Sequence, residues 1–173
     1  MDNIPIIAYT VAFGVLLVAG LLLIILGLEV LEAPAVVVIS TIIPLALSLG
    51  LVWQHLESLR IAYMAFVILS FAAVIATRSI SMKNKLPVIA IAITHGVAGM
   101  IIFLLPIILS VQGVTNSFFS LVGVGGALIG VGGLLLSFLK TGHPILSKET
   151  ILKILPGLLF LMTLCFVIGF KYG

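Results

Sequence analysis

Charge is what this sequence has least of. Of 173 residues only 8% are Asp, Glu, Lys or Arg while 63% are hydrophobic, a balance outside that of soluble domains. The few charges are also confined, because every one falls between long apolar stretches or near an end of one. Within those stretches the titratable groups at depth are His95, some Tyr hydroxyls and one thiol. Ion- or proton-coupled transport normally places Asp, Glu, Lys or Arg inside the spans, so the usual coupling groups are missing. Hydrolytic or transfer chemistry needs nucleophile, base and electrophile together, and the loops offer no such set. The chain is not expected to be an enzyme.

Cysteine is nearly absent too. With Cys165 alone, neither an internal disulfide nor a Cys-cluster metal site can form. The net charge of +3 does not imply nucleic acid, since the basic residues stand mostly in connections between apolar runs and report topology instead. Met1-Asp2-Asn3 lacks the positive region of a signal peptide, and the apolar run that follows is too long for one, which predicts a retained first helix.

What is present is hydrophobic length. Six apolar runs cover roughly residues 4–28, 33–54, 60–77, 86–111, 117–139 and 150–170. A span needs about 20 apolar residues, and the runs are continuous rather than alternating in ten-residue segments, which excludes a barrel. The expectation is an all-α integral membrane protein, a single polytopic domain folded as a compact bundle of six transmembrane helices. Loop charge then sets orientation. One side carries Arg78, Lys83, Lys85, Lys140, Lys148 and Lys153, the other Arg60 and Lys171. The Lys/Arg-rich loops are therefore expected in the cytoplasm, with both termini on the outer side of the plasma membrane. Tyr9, Trp53, Tyr63 and Tyr172 fall at the outer helix ends on this arrangement, where amphipathic rings favour the headgroup region. The connection from Arg78 to Lys85 divides the chain into two sets of three helices, as in inverted-repeat transporters, but only Val18-Ala-Gly20 recurring as Val97-Ala-Gly99 supports duplication.

His95 stands about nine residues into the fourth run, hence about 13 Å deep at the helical rise. An ionisable group at that depth is a functional candidate. Ala92, Ala98 and Gly99 share its face and leave a groove beside the imidazole. Ser40 and Thr41 on the second helix and Ser70 on the third come to about the same level, so His95, Thr41, Ser70, Ser40 and Gly99 form the expected ligand-binding layer. The bland alternative is a neutral histidine satisfied by one hydroxyl or carbonyl. Haem fits poorly, because His55 belongs at the outer surface and His143 in an inner loop, which leaves His95 without an axial partner at its own depth. Thr94-His95-Gly96 resembles the histidine-glycine stretch in subunit III of haem-copper oxidases over a handful of residues, but that family's buried glutamate is missing and no role is carried over.

The fifth run is rich in glycine. Gly123, Gly126, Gly130 and Gly133 fall within about 80° of one another and Gly125 and Gly132 on the opposite side. Small residues let backbones approach closely in lipid, so this helix is expected to be gripped by neighbours on both faces. A phosphate loop is excluded, since glycines inside a membrane helix present no free amides. At the outer surface, Trp53, His55, Glu57 and Arg60 crowd one short turn, which reads as an interfacial loop because metal sites need more ligands than it supplies.

These features together lead to an expected role as a non-catalytic integral membrane subunit or accessory protein of a larger complex, respiratory or otherwise energy-converting. It would pack against partner subunits and membrane lipids and bound a lipid or quinone pocket. The alternatives are a small-solute carrier or channel with a midplane site near His95, and a b-type haem or quinone-binding electron-transfer protein.

Overall fold

Six helices, each long and apolar enough to cross a membrane, make up the described chain. The computed structural model describes residues 3–27, 33–80, 84–140, 142 and 144–173, and among these there is no strand. The helices are α1 (Ile4–Leu26), α2 (Pro34–His55), α3 (Arg60–Ser79), α4 (Leu86–Val111), α5 (Ser120–Lys140) and α6 (Lys148–Tyr172). Short 3-10 turns over Glu57–Leu59 and Ser117–Phe119 lead into α3 and α5. The six expected runs are all present, with ends that agree to within three residues. Lys83 and His143, invoked above for loop charge and as a haem ligand, lie outside the described residues.

The helix ends follow from local chemistry. Gly113, at φ 71°, takes the left-handed conformation that closes α4, and the amide of Val114 donates back to the Leu109 carbonyl at 2.9 Å. Gly142 ends α5 in the same conformation, at φ 77°. Ser147 caps α6 by accepting from the Thr150 amide at 3.2 Å, with Glu149 in the first turn where a carboxylate suits the helix dipole. All three devices stand in the sequence.

The chain divides into two compact units, residues 1–101 and 102–173. In the first, α2 packs against both α1 and α3. Thr41, Leu45, Leu47, Ser48, Leu51, Val52 and Trp53 are accordingly buried along it. Close approach of α1 depends on Gly50, where a Cβ would lie 2.7 Å from Cδ1 of the Tyr9 ring. Beside this contact the Tyr9 hydroxyl donates to Gln54 Oε1 at 3.0 Å, so a polar link also ties α1 to α2.

In the second unit α5 lies between the last turns of α4 and α6. A Cβ on Gly123 would meet the Phe103 carbonyl at 2.5 Å, and one on Gly126 would meet Ile102 Cγ2 at 2.8 Å. On the opposite face Gly125 sits 2.8 Å from Phe166 by the same measure, and Gly132 3.3 Å from Leu158. Gly169 of α6 returns the contact against Val122, at 2.7 Å. The expected grip on both faces of α5 is thus present over Gly123, Gly125, Gly126 and Gly132. It stops short of Gly130 and Gly133, which meet open space. An aromatic cluster closes the far end of this unit, Phe119 meeting Phe170 edge-on at 6.0 Å and Phe118 meeting Tyr172 at 6.2 Å.

Candidate functional site

The residues of the expected polar layer stand on α2, α3 and α4. Thr41 is buried and its hydroxyl donates to the Val37 carbonyl at 2.7 Å, and Ser40 donates to the same carbonyl at 3.0 Å. Both hydroxyls are therefore spent on their own helix. Ser70 is half-buried on α3 and Gly99 half-buried on α4. His95 is exposed rather than buried, and its Nδ1 lies 3.2 Å from the carbonyl of Ile91 one turn earlier. Adjacent Thr94 takes the inward position instead, buried and donating to Ala90 at 2.7 Å. Apolar residues surround α4 on all sides, so depth along the helix is legible in the sequence but rotation about it is not. No hydrogen bond joins His95, Ser40, Thr41 and Ser70 to one another.

A buried polar link does join two helices, at residues that sequence reasoning passed over. Tyr63 Oη of α3 donates to Ser48 Oγ of α2 at 2.8 Å, and Ser48 donates in turn to the Pro44 carbonyl at 2.6 Å. The available signal was Ser48 four residues after a helical proline, a position from which a hydroxyl reaches the carbonyl below. Pro106 and Ser110 repeat the spacing in α4, with Ser110 Oγ 2.8 Å from the Pro106 carbonyl.

The turn between α2 and α3 does gather Trp53, His55, Glu57 and Arg60. Arg60 Nε donates to the Trp53 carbonyl at 2.6 Å, which satisfies a group left open at the end of α2. Its guanidinium also lies 5.8 Å from the Trp53 ring centre and 3.4 Å from Glu57 Oε1. Glu57 is 87% exposed, so that ion pair contributes little. His55 is half-buried in the last turn of α2. Among the described residues no three His, Cys, Asp or Glu side chains come together as metal ligands. The turn is built as a connection that caps α2.

A concavity lies elsewhere. A groove of about 550 Å³ runs along the first unit between α1, α2 and α3. Ile4, Ile7, Ala8 and Val11 form one wall, Ile42, Leu45, Ala46 and Leu49 the floor, and Val67, Ile68, Phe71, Ala72 and Ile75 the other wall. Every one of these side chains is hydrocarbon.

Comparison with known proteins returns nothing. No family model, no curated protein and no solved structure matches the chain. The groove's chemistry is what remains to reason from. Its walls offer no hydrogen-bond donor or acceptor to orient a polar ligand, and they come from three helices of membrane-spanning character, so water has nothing to hold it there. Such a site takes an alkyl or isoprenoid chain by area and shape, through dispersion contacts rather than hydrogen bonds.

Proposed function

We propose that this chain is a non-catalytic subunit or accessory protein of a larger membrane complex, packing its helix faces against partner helices and bounding a lipid pocket in the α1–α2–α3 groove. The observation that carries the reading is the groove itself, about 550 Å³ walled by hydrocarbon side chains alone. A quinone ring would need a donor for its carbonyls, and the walls supply none, so an acyl chain fits better. Two further features support the reading. The hydroxyls of Ser40, Thr41 and Thr94 inside the spans are turned onto their own backbones, and large apolar side chains stand exposed on every helix. Smooth faces of that kind associate with other helices or with lipid. The reading includes a plasma-membrane location with the loops of Arg78, Lys85 and Lys148 in the cytoplasm, by the charge asymmetry of the connections.

The test is purification in gentle detergent, with identification of copurifying chains by mass spectrometry and an absorption spectrum of the product. Stoichiometric membrane partners are expected. A stable monomer or homo-oligomer that copurifies with nothing and moves a solute into liposomes would overturn the proposal.

A further inference from the structure

The α3 face that walls the groove continues to a charge. Val67, Ile68, Phe71 and Ile75 occupy one sector of α3 about 100° wide, and at 100° per residue Arg78 falls within it, one turn and about 4.5 Å beyond Ile75. Arg78 is half-buried, and its Nε is buried without a hydrogen-bond partner among the described residues. An arginine nitrogen shut away from water normally has an acceptor, and among the described residues none stands at hydrogen-bond distance from this one. The surroundings in sequence are basic, with Lys83 and Lys85 following and no Asp or Glu anywhere between Glu57 and Glu149. Glu29 and Glu32, in the connection from α1 to α2, lie outside the described residues.

We infer that the groove binds an anionic phospholipid, its acyl chain along Val67 to Ile75 and its phosphate on the guanidinium of Arg78. This rests on the reading of the groove as a lipid pocket and adds the ligand's charge and direction. Two properties of different kind coincide along one helix face: a hydrocarbon trough shaped for a chain, and one turn beyond it a planar guanidinium, a group that suits a phosphate bidentately, whose Nε has no partner among the described residues. Basic pockets at the ends of membrane helices hold anionic headgroups by this combination. A turn of the half-buried side chain would bring the guanidinium, Nε included, onto the phosphate, while Lys85, exposed at the start of α4, adds to the positive field. A zwitterionic headgroup would bring its own cation into that field and bind less well.

The test is native mass spectrometry of the delipidated full chain in detergent, titrated with phosphatidylglycerol, with phosphatidylcholine of the same acyl chains, and with inorganic phosphate. Phosphatidylglycerol is expected to bind roughly fivefold more tightly than phosphatidylcholine, and inorganic phosphate not to be retained. Arg78→Gln should remove the preference, Arg78→Lys should keep part of it, and Lys153→Gln, exposed on α6, should keep all of it. Ala72→Phe, at an exposed position on the groove wall, should weaken both lipids alike. Equal binding of the two lipids by the unaltered chain, a preference that survives Arg78→Gln, or retention of inorganic phosphate alone would each overturn the inference. If Ala72→Phe weakens both lipids while headgroup makes no difference, the inference fails and the pocket stands. If Ala72→Phe changes nothing, the pocket itself fails.

Discussion

Tyr63 Oη lies 2.8 Å from Ser48 Oγ, both side chains are buried, and the pair ties α3 to α2. Ser48 acts as acceptor from Tyr63 and as donor to the Pro44 carbonyl, so the three groups form a chain in which each polar atom has a partner. Tyr63→Phe removes one hydrogen bond and leaves Ser48 satisfied by Pro44. Inter-helix bonds of this kind average about 0.6 kcal/mol in a membrane protein, and the loss should be of that size. Ser48→Ala should cost more, about 1–3 kcal/mol, because it leaves the phenol buried without an acceptor. Unfolding in mixed micelles by denaturing detergent measures both. A double variant no worse than Ser48→Ala alone is expected, and a simple sum of the two losses would show that the hydroxyls do not interact.

The glycines of α5 separate into two classes that sequence alone treats as one. Gly123→Ala and Gly126→Ala place a methyl group against Phe103 and Ile102, and such overpacking costs about 1–3 kcal/mol. Gly130→Ala and Gly133→Ala meet open space and lie in mid-helix, where alanine is favoured by up to ~1 kcal/mol. Stability measured for the four single variants should therefore change sign between the first pair and the second. Equal losses at all four in the isolated chain would mean that Gly130 and Gly133 are packed as closely as Gly123 and Gly126.

Rotation about α4 gives a third expectation. His95 is exposed and bonded only to the Ile91 carbonyl, while Thr94 is fully shielded. His95→Leu should leave the stability of the isolated chain within about 0.5 kcal/mol, as for most exposed substitutions. Thr94→Leu should lower it by about 1–3 kcal/mol, through added volume at a packed site. The reverse order of effects, read from the same unfolding titration, would mean that the imidazole and not the threonine faces inward.

Those contrasts mark where the sequence stops being informative. Span number and span ends were legible, because apolar length is a one-dimensional property and Gly113, Gly142 and Ser147 end or begin helices by local chemistry. Which side of a helix turns inward was not. A soluble helix announces its buried face by polarity, whereas α4 and α5 are apolar or glycine all round, so Thr94 and His95, or Gly126 and Gly130, differ only in what stands opposite. The groove was illegible for the same reason: its walls use residues of three helices with no polar marker among them. The Tyr63–Ser48 link needed the register of α3 against α2, which neither segment specifies alone.

Orientation across the membrane can be read with the chain's own chemistry. Cys165 is the single cysteine and is buried, so a membrane-impermeant maleimide should leave the unaltered protein unlabelled in intact cells. That provides a blank background for one introduced thiol at a time. Gln112, just past the end of α4, and Asn84, just before its start, are both exposed and sit at opposite ends of the same helix. With Arg78, Lys83 and Lys85 beside Asn84 and no basic residue between Lys85 and Lys140, the positive-inside tendency assigns Asn84 to the cytoplasm. Gln112→Cys is therefore expected to label in intact cells, and Asn84→Cys only after the membrane is permeabilised. The opposite pattern would invert the topology and carry the Arg78 end of the groove to the outer leaflet, where anionic lipid is scarcer in many membranes.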